Sequence, residues 1–287
     1  MRALQINGQA AAFITSDGLQ LDVSVFRADC ARGVVLFLPC MLGDVRAGMY
    51  CVPIDELARR NYSLVMFNPR GHGRSPGVFS PEGCASDLLE FIGSYFAAVS
   101  GPERVYAVGH SGGATWLLSA AARQACFEKL FLVAPVLDTR EAMFYMYERG
   151  TSGSFADLMR NPDGTNEALD AVMSDTRWLD LEYWTAQHLK SMLNYATKGY
   201  RGIFFESVGQ FLENIFFPGC NVKRQLADFR DKVRLFVSAE DDWVPVNRTI
   251  QQAHEQSIKL TIVPGAKDHM LFGCWESIWT AVMGELQ

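Results

Sequence analysis

The chain has 287 residues, of which 49% are hydrophobic and 20% charged, with a net charge of −6 and an isoelectric point near 5.4. That is the ordinary mix of a globular protein with a sizeable core. The acidic balance argues against a nucleic-acid partner, which calls for a basic face. No apolar run reaches the length of a membrane span, and the first sixteen residues lack the extended apolar stretch of a signal peptide, so a cytoplasmic location without stable membrane insertion is expected.

In chain order, residues 10–15 and 19–26 read as two strands around the turn Ser16-Asp17-Gly18. Residues 34–38 form a continuous apolar strand, 50–60 have helical spacing, and 64–67 form a strand ending at Asn68-Pro69. An apolar-faced helix is expected over 88–99, a strand over 105–108 and a helix over 115–126. Further strands fall at 130–134, 233–237 and 260–263, with a final helix over 275–286. Strands that are apolar throughout and alternate with helices indicate a parallel sheet covered on both faces, an α/β fold. Residues 139–229 break this rhythm with aromatic-rich helical segments and no clear strand. They read as a helical cap inserted after the sixth strand, over the carboxyl ends of the strands where open α/β sheets bind ligands. The core is then 1–138 and 230–287. The alternative is a set of extra helices packed at one edge.

The densest chemical signal is Gly109-His110-Ser111-Gly112-Gly113, with an apolar strand before it and a helical pattern after it. A serine on a strand-to-helix turn is held in a strained conformation, and its close neighbours must lack side chains. The helix start also brings main-chain N–H groups and partial positive charge to the reacting oxygen. Ser111 is therefore the expected nucleophile. A serine hydroxyl needs a base. On a turn of this kind the acid and then the base follow the nucleophile in the chain. Among five histidines, three follow Ser111. His188 lies in the expected cap and His254 within a helix. His269 ends the loop Pro264-Gly265-Ala266-Lys267-Asp268 after a strand, and is the expected base. The orienting carboxylate is sought in Ser238-Ala239-Glu240-Asp241-Asp242-Trp243-Val244-Pro245, at a strand end. Asp241 is the first choice, Asp242 the alternative, and Asp138 a third candidate.

Seven cysteines are scattered without a CxxC pair, so no metal cluster is expected and free thiols are the simpler reading. Cys40 is a small buried packing residue or, less simply, a reactive thiol.

Together, Gly109–Gly113, the segment from Glu240 to Pro245 and the loop ending in His269 resemble the α/β-hydrolase superfamily across nearly the whole chain. Asn68-Pro69-Arg70-Gly71-His72-Gly73-Arg74-Ser75 looks like the RGHGxS loop of many members. Within the superfamily the chain is most similar to the capped, lipase- and serine-aminopeptidase-like group that includes monoacylglycerol lipases. The resemblance implies a mostly parallel eight-stranded sheet with one antiparallel strand and helices on both faces. It implies Ser111 as nucleophile, Asp241 as acid and His269 as base, with no cofactor and no metal. His72 is implied to be structural. One departure stands out. Members usually carry His-Gly after the third strand, whereas this chain has Pro39-Cys40-Met41-Leu42-Gly43. By position Met41 supplies one oxyanion-hole N–H and Gly112 the other. A main-chain donor needs geometry rather than a side chain.

The expected function is cleavage of a carboxylic ester or thioester through an acyl-enzyme, with a small-molecule acyl substrate as the only partner implied and no residue pattern arguing for an oligomer. The cap aromatics Phe144, Tyr145, Trp178, Trp184, Phe204 and Phe205 either favour an apolar acyl or aromatic group or simply pack the cap. Acyl transfer, amide cleavage or C–C hydrolysis on the same triad are alternatives. A non-catalytic small-molecule-binding protein of the same fold is an alternative of a different class.

Overall fold

The computed structural model describes residues 10–41, 43–98, 104–124, 126–139, 141–142, 145 and 221–287. Most of the expected cap, including His188 and all but one of its named aromatics, lies outside the described residues. The strands are β1 (Ala10–Ile14), β2 (Gln20–Phe26), β3 (Gly33–Leu38), β4 (Tyr62–Phe67), β5 (Arg104–His110), β6 (Phe127–Val133), β7 (Val233–Val237) and β8 (Lys259–Ile262). The helices are α1 (Ile54–Arg59), α2 (Pro81–Ala98), α3 (Gly112–Arg123), α4 (Lys223–Asp228), α5 (Val246–Glu255) and α6 (Trp275–Met283).

The eight strands form one sheet in the order β1-β2-β4-β3-β5-β6-β7-β8. β2 runs antiparallel to both neighbours and every other pairing is parallel. β3 is apolar at every position, and β4, β5 and β6 are mostly so, because both faces are covered, and their side chains alternate between two cores. Val34, Leu36 and Leu38 of β3 face one core with Val105 and Ala107 of β5 and Leu130 and Leu132 of β6, under α2, α3 and α4. Val35, Phe37, Tyr106, Val108, Phe131 and Val133 face the other, closed by Tyr50, Leu57 and the α6 tryptophans Trp275 and Trp279. The α4 residue Leu226, inside the expected insertion, is fully buried in the first core.

Two elements differ from the sequence expectation. α2 starts at Pro81, well before residue 88, because Ser80 caps it: its hydroxyl accepts from Gly83 N–H at 3.0 Å and Pro81 takes the first helical position. The helix expected over 50–60 splits. A 3-10 turn over Gly48–Tyr50 stops at Cys51, whose φ is +44°, and α1 begins only after Pro53.

Candidate active site

β5 ends at His110, and the chain turns through Ser111 directly into α3. Ser111 has φ 55° and ψ −118°, a strained conformation for a residue with a side chain. The turn is tight enough to require glycine on both sides. A Cβ on Gly109 would stand 2.8 Å from the Ala114 main chain, and one on Gly113 would stand 2.3 Å from the Pro39 carbonyl. Ser111 N–H donates to Val133 O at 2.9 Å, which ties the strained residue to β6.

The loops after β5, β7 and β8 bring three expected residues into one buried line. Ser111 Oγ is 2.7 Å from His269 Nε2. His269 Nδ1 is 2.9 Å from Asp241 Oδ2 and 3.1 Å from Oδ1. All three residues are at most 2% exposed, so water competes little for these bonds. Asp241 is held from behind: its Oδ1 accepts from Trp243 N–H and Val244 N–H, both at 2.9 Å. A carboxylate so fixed is an acceptor only, and it selects the His269 tautomer with the proton on Nδ1 and a bare Nε2 facing the serine.

Asp242 sits elsewhere. Its Oδ1 accepts from the His269 main-chain N–H at 3.2 Å, so it steadies the backbone of His269 rather than its ring. Asp138 points away, accepting from Glu141 N–H and Asn221 Nδ2. His254 is exposed near the end of α5.

The loop after β3 reaches the same place. A Cβ on Gly112 would lie 3.3 Å from Met41 N and 3.1 Å from Met41 Cβ, so the Met41 and Gly112 main chains pack side by side next to Ser111. Met41, Phe79, Trp116, Val136 and Thr139 line an apolar cleft there. Cys40 is buried, as its packing reading requires, with the Tyr50 hydroxyl 3.3 Å from its Sγ.

The Arg70–Ser75 loop supports the floor of the site. Gly71 and Gly73 have φ of +74° and +51°. His72 is fully buried against Phe79 and Trp116, with Nδ1 2.9 Å from Arg70 O. Burial pushes its pKa down to about 4, against the hydrogen bond to Arg70, so it is neutral. Arg70 grips the fully buried Asp87 through Nε and Nη2.

Three contacts with Asp241 and His269 were not expected from the sequence, one of them made by Tyr145, which was named only as a cap aromatic. Trp243 stacks on His269 with ring centroids 5.1 Å apart and planes 4° apart. Tyr145 donates its hydroxyl to the Asp241 carbonyl at 3.2 Å. His110 lies next to His269, its Nε2 3.1 Å from His269 O. Only His110 had a sequence signal, its place in the serine turn on the same strand face as Tyr106 and Val108. Among the described residues no group of histidine, cysteine, aspartate and glutamate could hold a metal ion, and no helix is long and apolar enough to cross a membrane.

A strand–serine–helix turn in a mostly parallel eight-stranded sheet, with Asp241 and His269 after later strands, coincides with a family-wide match: the model of the alpha/beta hydrolase family fits residues 35–276. The chain belongs to the α/β-hydrolase family. Solved structures agree on the fold. The chain is similar to the alpha/beta hydrolase GrgF from Penicillium sp. sh18, with 18% identity, 96% of each chain covered and a TM-score of 0.64. It is similar to the esterase PF2001 of Pyrococcus furiosus, with 15% identity, 96% of this chain and 88% of that one covered and a TM-score of 0.66. It is also similar to an N-formylmaleamic acid deformylase of Pseudomonas putida S16, with 16% identity, 96% and 100% covered and a TM-score of 0.55. No curated protein matches this α/β hydrolase in sequence.

Proposed function

We propose that this α/β hydrolase cleaves a carboxylic ester or thioester through an acyl-enzyme formed on Ser111. The observation that carries the reading is the buried line Ser111 Oγ–His269 Nε2–Asp241, at 2.7 and 2.9 Å. His269 Nε2 takes the serine proton as Oγ attacks the acyl carbonyl. Asp241 holds the resulting imidazolium and remains ionised. The Met41 and Gly112 N–H groups face the developing oxyanion, each worth about 3 kcal/mol by analogy with measured losses of such donors. His269 then gives its proton to the leaving alcohol or thiol. A water deprotonated by the same nitrogen attacks the acyl-enzyme and frees the acid and Ser111.

The stacked Trp243 ring favours the imidazolium that exists between these steps, as an aromatic face favours a cation. The cleft of Met41, Phe79, Trp116 and Val136 beside the two N–H groups suits an apolar acyl or aryl group. Turnover of esters and thioesters of graded acyl length by the wild-type chain, with Ser111→Ala as control, tests the proposal. Ser111→Ala is expected to lose hydrolysis of every substrate that the wild type turns over. Retained turnover in that variant contradicts it.

A further inference from the structure

The departure from His-Gly after β3 leaves a physical question. Pro39 has no N–H to pin the turn, yet Met41 must be held still if its N–H is to meet an oxyanion. The buried polar groups under the site answer it. Cys40 N–H donates to the Tyr50 hydroxyl at 3.0 Å. That hydroxyl lies 3.2 Å from His110 Nδ1. His110 Nε2 lies 3.1 Å from the main-chain oxygen of His269. Cys40, Tyr50, His110 and His269 are all buried.

The direction of every bond is fixed. A carbonyl only accepts, so His110 Nε2 carries the proton. A neutral imidazole then has a bare Nδ1, which accepts from the Tyr50 O–H. His110 is neutral because burial, and then the neighbouring His269, push its pKa down to about 3. Tyr50 has a second acceptor within reach in Cys40 Sγ at 3.3 Å, but a thiol is the weaker acceptor. The Tyr50 oxygen is left to accept from Cys40 N–H. The rings are clamped as well. Tyr50 packs edge-on to Phe37 and Trp275, and its main-chain oxygen accepts from Trp279 Nε1 at 2.8 Å.

We propose that Tyr50 and His110 are positioning residues that lock the Cys40–Met41 oxyanion loop to the His269 base loop through the one-way relay Cys40 N–H to Tyr50, Tyr50 O–H to His110, His110 N–H to His269 C=O. The inference rests on the acyl-enzyme reading above. It adds that the two loops, which must agree to fractions of an ångström for attack and oxyanion binding to occur together, are held at a common distance by residues that touch no substrate. Gly43 N–H donates to Cys40 O at 2.9 Å and closes the turn on itself, and the relay adds the tie from that turn to the His269 loop.

The test is the rate of Ser111 phosphonylation by an alkyl fluorophosphonate, which needs base and oxyanion donors but no known substrate. It is measured beside the melting temperature for wild type, Ser111→Ala, Tyr50→Phe, His110→Leu and His110→Gln. Tyr50→Phe keeps the packed ring and loses only the hydroxyl. It and His110→Leu are expected to slow phosphonylation by about tenfold to a hundredfold. His110→Gln, whose Nε2 can still donate to His269 O, is expected to recover most of the rate. Residues that merely support the fold would lower the melting temperature and leave the rate at the wild-type value. Wild-type labelling at Ser111 with unchanged rates in Tyr50→Phe and His110→Leu overturns the relay. Equal slowing in His110→Gln and His110→Leu overturns the donor role of His110. Absence of Ser111 labelling in the wild type overturns the acyl-enzyme reading instead. A measurement on the wild type alone decides the relay if the variants do not fold: ¹⁵N shifts must report His110 protonated on Nε2, and protonation on Nδ1 contradicts it.

Discussion

The two ends of the sheet use opposite kinds of polar chemistry. At the carboxyl ends, Ser111, His269, Asp241, His110 and Tyr50 are buried and interlocked, and Ser111 holds a positive φ of 55° within that network; positive φ also occurs at the amino ends, at Asn61 before β4 and Ser257 before β8, but outside any such network. At the amino ends one carboxylate, Glu285, gathers Lys129 of β6, Arg234 of β7 and Lys259 of β8. Nearby, Tyr62 of β4 donates to the Gln287 main-chain oxygen and Gln287 N–H donates to the Tyr106 hydroxyl of β5. The amino end is a charged clasp at the rim. The carboxyl end is a buried network in which Asp241 holds the His269 ring, Asp242 its main chain, and each histidine tautomer is set by its partners. Burying polar groups is costly, and at the carboxyl ends that cost is met where Ser111, His269 and Asp241 are held in one arrangement. The clasp requires only that opposite charges meet.

The contrast is sharpest in the two neighbouring aspartates. Asp241→Asn keeps the volume but removes the charge and the tautomer selection, and is expected to lower kcat by about 10⁴-fold, as in related triads. Asp242→Asn loosens only the His269 main chain and is expected to cost about tenfold or less. Steady-state kinetics on one activated ester compares them, and equal losses would mean that the ring partner is misassigned.

Acid separates the two ends by pH. Burial makes His72 and His110 titrate at about 4 and about 3, below the ordinary 6.5. Both are neutral in the folded chain and charge first in the unfolded one. Stability is therefore expected to fall as pH drops below about 6.5, by roughly 2 kcal/mol per histidine at pH 5. Burial pushes the Glu285 carboxyl up, but hydrogen bonds from Lys129 and Lys259 and the charge of Arg234 hold it at about 2. Its contribution is complete above about 4.5 and is lost as pH falls toward 2. Denaturant midpoints from pH 7 to 5 should thus drop in the wild type and, by the same amount, in Glu285→Gln. A larger drop for the wild type would place the acid sensitivity at the clasp.

Glu285→Gln itself leaves three cations without their shared anion, and is expected to cost roughly 2 kcal/mol of stability with kcat unchanged. A fall in kcat would break the separation of the two ends. The smallest effect is expected at the stacked indole. Trp243→Leu should lower kcat by about threefold and Trp243→Phe by less, in line with an aromatic–cation contact of modest strength.

The sheet was legible because β3 and the later parts of β5 and β6 are buried on both faces and, His110 apart, apolar, while the polar residues Arg104, Glu128 and Lys129 fall at the strand starts. Ser111, Asp241 and His269 were legible because each ends a strand in a loop with its own local signal: glycines, a run of acids, and a Pro-Gly turn. The α2 start was readable from Ser80-Pro81 but was outweighed by the stronger apolar pattern further on. The relay was not readable. Tyr50 lies 60 residues from His110, and His110 lies 159 residues from His269. No local spacing pairs them, and only the sheet order brings the loops after β3, β5 and β8 together. The Trp243–His269 stack is hidden for the same reason.

The proposed reaction places the acyl group on Ser111. Intact-mass analysis after fluorophosphonate treatment, followed by peptide mapping, decides whether Ser111 is the residue modified. One phosphonyl group per chain, on the peptide containing Gly109-His110-Ser111-Gly112-Gly113 and absent in Ser111→Ala, is the predicted result. An unmodified wild-type chain, or an adduct that persists in Ser111→Ala, would contradict it.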